Sequence, residues 1–455
     1  MLFRSLLNLV HTVLGKFPSG SSLNQLSLSS KRQLKRRGFG MDASRTDTPL
    51  STFNNVMTRV FPLPADQSTL QGFVDKYLND PCHSGGNYFR VALPLVYLQL
   101  LDYGSMSGRL TGSAHTSQNE LLFMVVLEWF EECVSGTFKF NGKAYKRHAE
   151  GNALVTPFIF VDNPLSVMMG RENFGWPKSL INVTPVAPGW APEAGQNVPI
   201  MRIAAMRLAQ FYEGKSQRFS TIMEIEKRAG YTDGTTGVSL DAVKALTDWW
   251  AGSKRSYETL MQQWREIIDL SATNVGLITQ MLERYRQTVS GNTTGSGSLA
   301  HWFASLGNSI GVKHFSDPQA PNQPCFESLA NMRTEVTKMY GGGLLGSLES
   351  QVSSLDGGFA IRVHRYEAYP ALKTLGVKVS KTEKPARAGD PPVDILTPLM
   401  PFWYRMNFSL KTSVPLSTRV HGEAFAEALD RTQLADYQPE FNPSMGQDVN
   451  RVDAS

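Results

Sequence analysis

The chain has few of the residues that usually announce a chemistry. Cys82, Cys133 and Cys325 are its only cysteines, far apart and without a C-x-x-C pair. Neither a disulfide framework nor a thiolate zinc site is indicated. Long apolar runs are missing too: the longest, Leu121 to Leu127, stops at Glu128, far short of the roughly 20 residues that a membrane helix needs. The eight histidines are scattered singly. No G-x-S-x-G, H-E-x-x-H, P-loop or dinucleotide fingerprint occurs, so the standard hydrolase, zinc, nucleotide and redox motifs have no footing here. The expectation is a protein without a metal, an organic cofactor or a membrane span.

Acidic residues are absent before Asp42, whereas Arg4, Lys16, Lys31, Arg32, Lys35, Arg36 and Arg37 are basic. The net charge of +5 therefore sits largely in that segment, and the remainder is near neutral. No basic stripe interleaved with aromatics is left to follow a phosphate backbone, so no nucleic-acid partner is expected. Residues 1–47 form a basic tail that resembles an organelle transit peptide. A disordered tail and a true start at Met41 are the competing readings. The expected location is cytoplasmic, or mitochondrial if residues 1–40 are a transit peptide in a eukaryote.

What is present is an ordinary globular composition, 41% hydrophobic and 19% charged, with the chain long enough for a large core. Residues 48–223 read as β-rich, with runs such as Tyr88 to Leu101, Thr156 to Val161 and Ile200 to Tyr212 broken by Gly, Pro, Asn and Asp. Leu70, Phe73, Val74 and Leu78 recur at helical spacing and predict a short surface helix over 68–78. Residues 224–298 read as a helical insertion. There Tyr257, Leu260, Met261, Trp264, Ile267 and Ile268 form one apolar stripe, and Leu277, Met281, Leu282 and Tyr285 another. Strand character returns over 299–419, as in the alternation of Phe359 to Arg365 and in Phe402 to Leu410. Residues 420–455 form a polar tail.

One segment stands out. The apolar strand ending Val161-Asp162-Asn163-Pro164 leads to Gly170-Arg171-Glu172 and then to Phe174-Gly175-Trp176-Pro177-Lys178. Gly170 to Glu172 reads as a strand-to-turn junction. From spacing alone, a solvated lysine on a surface loop is the commoner outcome for such a stretch.

The combination of Asp162-Asn163-Pro164, Gly170-Arg171-Glu172 and an aromatic-Pro-Lys turn resembles the signature of the acetoacetate decarboxylase family. The likeness extends more weakly over Asp102 to Leu122, Ile200 to Glu213, Cys325 to Val336 and Phe359 to Leu410. It implies an α+β, mainly β fold: a curved antiparallel β-barrel or cone with peripheral helices, the helical insertion outside it. It also implies a homo-oligomer.

The resemblance further implies a lyase in which Lys178 forms an imine with a β-keto acid and releases carbon dioxide, Glu120 and Glu172 being the acidic partners. Arg59, Arg171, Phe174 and Trp176 are the implied substrate contacts. An aldolase or dehydratase using the same imine on an oxo-acid, and a non-catalytic small-molecule-binding barrel, are the alternatives. Two departures from the family pattern matter. A second lysine often follows the first, and here Ser179 stands there, so activation of Lys178 is expected to come from burial among apolar side chains. The family's acidic column falls at Ser117 or Gln118, with Glu120 a near neighbour.

Overall fold

The computed structural model describes residues 51–79, 85–108, 116–136, 138–185, 198–206, 219–227, 303, 306–316, 324–345, 358–367, 369–385, 387, 390–411 and 413–420. The two tails, apart from residue 420, lie outside the described residues, as does the expected helical insertion beyond residue 227.

Among the described residues, sixteen strands are joined edge to edge in one hydrogen-bonded network. In chain order they are β1 (Ser51–Pro64), β2 (Asn87–Val91), β3 (Leu95–Gly108), β4 (Thr116–Cys133), β5 (Phe138–Phe140), β6 (Lys143–Val161), β7 (Lys178–Pro185) and β8 (Val198–Met206). Then come β9 (Phe219–Lys227), β10 (Asn308–Ser316), β11 (Pro324–Leu344), β12 (Phe359–His364), β13 (Lys381–Glu383), β14 (Val393–Leu396), β15 (Phe402–Leu410) and β16 (Val414–Val420). Helices are few among the described residues: α1 (Gln67–Val74), α2 (Pro164–Phe174) and the single turn α3 (Ala371–Thr374).

Successive pairings run β6, β10, β11, β15, β1, β3, β4, and β4 pairs back onto β6. The circuit closes into a barrel. Its wall is antiparallel except at β10 on β6, where Ser309 faces Leu154 and Ile310 faces Val155 in a parallel register. A second parallel pairing joins β7 to β6, with Ile159 opposite Lys178. From there β7, β8, β9, β12, β14 and β13 continue outward as a second, antiparallel sheet. The wall is thus the expected curved, largely antiparallel one, and its two parallel pairings arise because β6 offers a single edge to both β10 and β7.

Alternation along the wall explains the long apolar runs. On β3, Leu98 and Leu100 point into the main hydrophobic core while Gln99, Leu101 and Tyr103 line a cavity inside the barrel. On β4, Leu121, Phe123 and Val125 face the core, and Gln118, Glu120, Leu122 and Met124 the cavity. Both faces of these strands are covered, so the period-two signal gives way to the continuous run Leu121 to Leu127. The core lies between the barrel wall and the second sheet, where Phe61 of β1 meets Phe359 of β12 edge-on at 5.5 Å.

The helix expected over 68–78 exists as α1, continued by a wider turn over Asp75–Asn79. Leu70, Val74 and Leu78 are buried. Two expectations need correction. Residues 224–227 belong to β9, so strand character passes the expected boundary at 224. The stretch 164–174 is helical, where a strand-to-turn junction was expected. Asn163 caps it, Pro164 opens it and Gly175 ends it, and these local signals outweigh the glycine at position 170 inside the helix.

Candidate active site

The site begins with how one helix ends. Asn163 Oδ1 accepts hydrogen bonds from the amides of Leu165 and Ser166, starting α2. At its other end Gly175 takes a left-handed conformation, φ 68°, and its N–H and that of Trp176 donate to the carbonyls of Arg171 and Gly170, the usual way of finishing a helix on glycine. The chain then reverses sharply, Lys178 N–H donating to the Trp176 carbonyl at 2.8 Å, and enters β7. Lys178 is the first residue of that strand and points into the barrel, while Ser179, one residue on, is exposed.

Ser166 and Gly170 are four residues apart and so share a face of α2. Both line the cavity with Lys178. Lys178 Nζ donates to Ser166 Oγ at 3.0 Å. Gly170 is where the lysine's stem crosses the helix: a Cβ there would stand 2.5 Å from Lys178 Cδ.

The motif residues Asp162 and Asn163 act across the barrel wall. Asp162 accepts from the backbone N–H and the side-chain amide of Asn119, each at 2.8 Å. Asn163 donates to Thr116 Oγ1 at 3.0 Å. These bonds fix the end of β6 against β4 beside Glu120, whose register partners are Val161 on β6 and Leu101 on β3.

The result is a buried ion pair. Lys178 Nζ lies 2.8 Å from Glu120 Oε2, and their side chains are only 5% and 6% exposed. Gln118 Nε2 donates to the same carboxylate oxygen at 2.9 Å, and the Tyr103 hydroxyl donates to Oε1 at 3.2 Å. Burial, and next the negative charge of Glu120, push the Tyr103 phenol well above its ordinary pKa, against a smaller opposing hydrogen bond from Gln118. Tyr103 therefore remains a hydrogen-bond donor at any ordinary pH. The amine sits 5.2 Å from the centre of the Trp176 ring, within cation–π range, and Phe174 packs on Trp176 at 4.9 Å.

Three buried polar atoms beside this pair have no hydrogen-bond partner: Gln118 Oε1, Thr156 Oγ1 and Trp176 Nε1. All three residues line the cavity. Buried polar atoms are nearly always satisfied, and these three are left by the protein to face the cavity. The cavity volume is about 160 Å³. Among its described lining residues Lys178 is the sole cation, and Phe53, Met106, Met124, Met332, Met406 and Phe408 are among the apolar ones. Among the described residues, no three of His, Cys, Asp or Glu gather as a metal ion would require.

The structure brings together Lys178, Glu120, Phe174 and Trp176. It separates the others. Arg171 is exposed on α2 and outside the cavity lining. Arg59 pairs with Leu100, a core-facing residue, so alternation puts its side chain on the wall's other face. Glu172 lies in α2, and its side chain is outside the described residues. The amine is buried as expected, and Glu120, the expected acidic partner, lies against it, since burying an unpaired charge is far costlier than burying a pair. Tyr103, Thr156 and Ser166 line the same cavity and were not expected from sequence, whereas Gln118 is one of the two positions at which the acidic column was expected.

Fold and site define a mainly β protein with a closed barrel that encloses a lysine–carboxylate pair. Its structure is similar to a crystal structure of acetoacetate decarboxylase from Legionella pneumophila subsp. pneumophila str. Philadelphia 1, with TM-score 0.41, 12% identity, and coverage of 88% of this chain and 100% of that one. It is also similar to the enduracididine biosynthesis enzyme MppR, at TM-score 0.36, 11% identity and coverage of 88% and 98%. An acetoacetate decarboxylase-like enzyme from Sphingomonas wittichii RW1 gives 0.36, 13%, and 83% and 97%. No family model and no curated protein matches the sequence. These likenesses are distant, and the chemistry of this chain rests on its own residues.

Proposed function

We propose that this protein is a lyase that uses Lys178 to form an imine with a β-keto acid and release carbon dioxide. The observation that carries the reading is the Lys178 amine, buried in an apolar cavity 2.8 Å from the Glu120 carboxylate. An ordinary lysine amine, with a pKa of about 10.4, is protonated at neutral pH and is no nucleophile. Here the proton it must lose has an acceptor already within hydrogen-bond reach, the geometry that general base catalysis requires.

The sequence of steps balances without a cofactor. Glu120 takes a proton from the Lys178 ammonium, and the Nζ lone pair adds to the ketone carbon. Glu120 gives that proton to the departing hydroxyl, so that water leaves and an iminium remains. The bond between the α-carbon and the carboxylate then breaks; its electron pair becomes the carbon–carbon double bond of an enamine, the iminium π pair moves onto nitrogen, and carbon dioxide departs. A proton drawn from water and relayed by Glu120 is added to the α-carbon, and water hydrolyses the resulting iminium to free the ketone and the Lys178 ammonium. The Trp176 indole N–H and the Thr156 hydroxyl are unpartnered donors suited to the substrate's oxygens. Tyr103 and Gln118 hold the Glu120 carboxylate in place.

The test is to incubate the protein with acetoacetate or pyruvate, add borohydride, and search by mass spectrometry for a reduced adduct on Lys178. An adduct together with carbon dioxide is the expected result. An adduct without carbon dioxide release would favour an aldolase or dehydratase on an oxo-acid. Folded protein that gives no adduct would leave a non-catalytic barrel, in which Lys178 and Glu120 simply neutralise each other.

A further inference from the structure

The cavity holds more apolar wall than a methyl ketone needs. Beside the lysine–carboxylate pair its lining continues as Leu101, Met106, Leu122, Met124, Met332 and Met406, side chains from four different strands of the barrel. Its volume of about 160 Å³ matches that of an engineered apolar cavity of about 150 Å³ that takes up benzene. Methionine-rich walls are deformable and suit apolar ligands of irregular shape.

Charge points the same way. Among the described lining residues there is no arginine or histidine and no lysine other than Lys178, which Glu120 already neutralises. A small, highly charged oxo-acid would find no free cation here, and it would leave most of the apolar wall uncovered. The orphan atoms Thr156 Oγ1, Trp176 Nε1 and Gln118 Oε1 offer neutral hydrogen bonds, enough for one polar head. The lip of the cavity is apolar as well: Leu165 of α2 lines it while 40% exposed, and Met168 on the same helix is 64% exposed.

We propose that the carbonyl compound acted on by Lys178 carries an apolar substituent larger than methyl, an aryl ring or a medium alkyl chain. Its polar head meets Thr156, Trp176 and Gln118, and its apolar part lies along Met106, Leu122, Met124 and Met406. The proposal deepens the imine reading and rests on it for the word carbonyl, but the cavity's preference is measurable apart from any reaction.

Two measurements on the full-length protein separate the claims. In the first, calorimetry compares the inert acids acetate, benzoate and octanoate. Benzoate and octanoate are expected to bind more tightly, by about fourfold for each methylene buried, which corresponds to about 0.8 kcal/mol per CH₂. The variant M106W, which fills the cavity from its half-buried wall, should bring octanoate back towards acetate. Equal or weaker binding of the larger acids to the unaltered protein would overturn the proposal. In the second, borohydride trapping on Lys178 compares acetoacetate, hexanoylacetate and benzoylacetate. Faster trapping of the latter two supports the proposal, and trapping of acetoacetate alone overturns it while sparing the imine. If octanoate binds tightly and no oxo-acid is trapped, the imine reading fails and the apolar preference stands.

Discussion

Gly170 and Lys178 pack so closely that a methyl group at position 170 would stand 2.5 Å from Lys178 Cδ and 2.7 Å from Cε. The lysine's stem is therefore steered by the absence of a side chain on the neighbouring helix. G170A is expected to push Nζ off its line to Glu120. Displacement of a reacting group by about 1 Å costs on the order of 100-fold in rate, so borohydride trapping on Lys178 should slow by about that factor. Helix content, followed by circular dichroism, should stay near that of the unaltered protein.

The buried ion pair makes a stability prediction independent of catalysis. Removing one member of such a pair leaves the other charge dry and typically costs about 3 to 5 kcal/mol. E120Q should lower the free energy of urea unfolding by that order. Adding K178M in the same protein should recover most of the loss, because a methionine occupies similar space without a charge. A double-mutant cycle reads the coupling directly, and additive effects would show that the two side chains do not support each other.

Gly175 has a positive φ of 68°, and a Cβ there would come within 2.7 Å of the Lys313 backbone nitrogen on β10. Left-handed backbone costs a residue with a side chain about 1 to 2 kcal/mol, and here the clash adds to that. G175A is expected to lower the denaturant midpoint by at least the equivalent of about 1 kcal/mol.

Arg59 lies on the wall face away from the cavity. R59M should leave the rate of trapping on Lys178 unchanged. A loss of more than a few fold would show that the arginine reaches the substrate after all.

In the second sheet, His364 first and then the Arg202 guanidinium, 2.8 Å away, hold the Glu224 carboxyl at a pKa of about 2 against an ordinary 4.5. A depressed carboxylate pKa stabilises the fold above the ordinary value, and this contribution drains away as pH falls from about 4.5 towards about 2. E224Q should flatten the decline in stability across that window, as followed by urea midpoints at successive pH values.

Lys178 was singled out by the resemblance of Asp162-Asn163-Pro164 and the aromatic-Pro-Lys turn to a family signature, since its spacing alone reads as a solvated surface lysine; that it is buried is what the structure adds. Strands such as Phe402–Leu410 were legible in the sequence, and their alternation survives in the structure. Helix α2 was also written locally, in Asn163, Pro164 and Gly175, yet the strand before it and Gly170 within it masked those signals. Glu120 was named from the resemblance as an acidic partner, and the local signal beside it is that Gln118, Glu120, Leu122 and Met124 fall on one face of a strand. Tyr103 and Thr156 carry no such signal, since what brings them to Glu120 and Lys178 is the register of β3 on β4 and of β4 on β6. Such pairings between distant segments leave no mark in a short window of sequence.

The closed circuit of β4, β6, β10, β11, β15, β1 and β3 decides how molecules come and go. The staves of this cask are stitched side to side by backbone hydrogen bonds, and the residues of its lining that lie at strand ends, Ser51, Gly108 and Leu410, together with the exposed Leu165 of α2, gather at its rim. A molecule held inside would thus meet the outside at the rim, and the bulkier its apolar part, the longer it would fill that doorway.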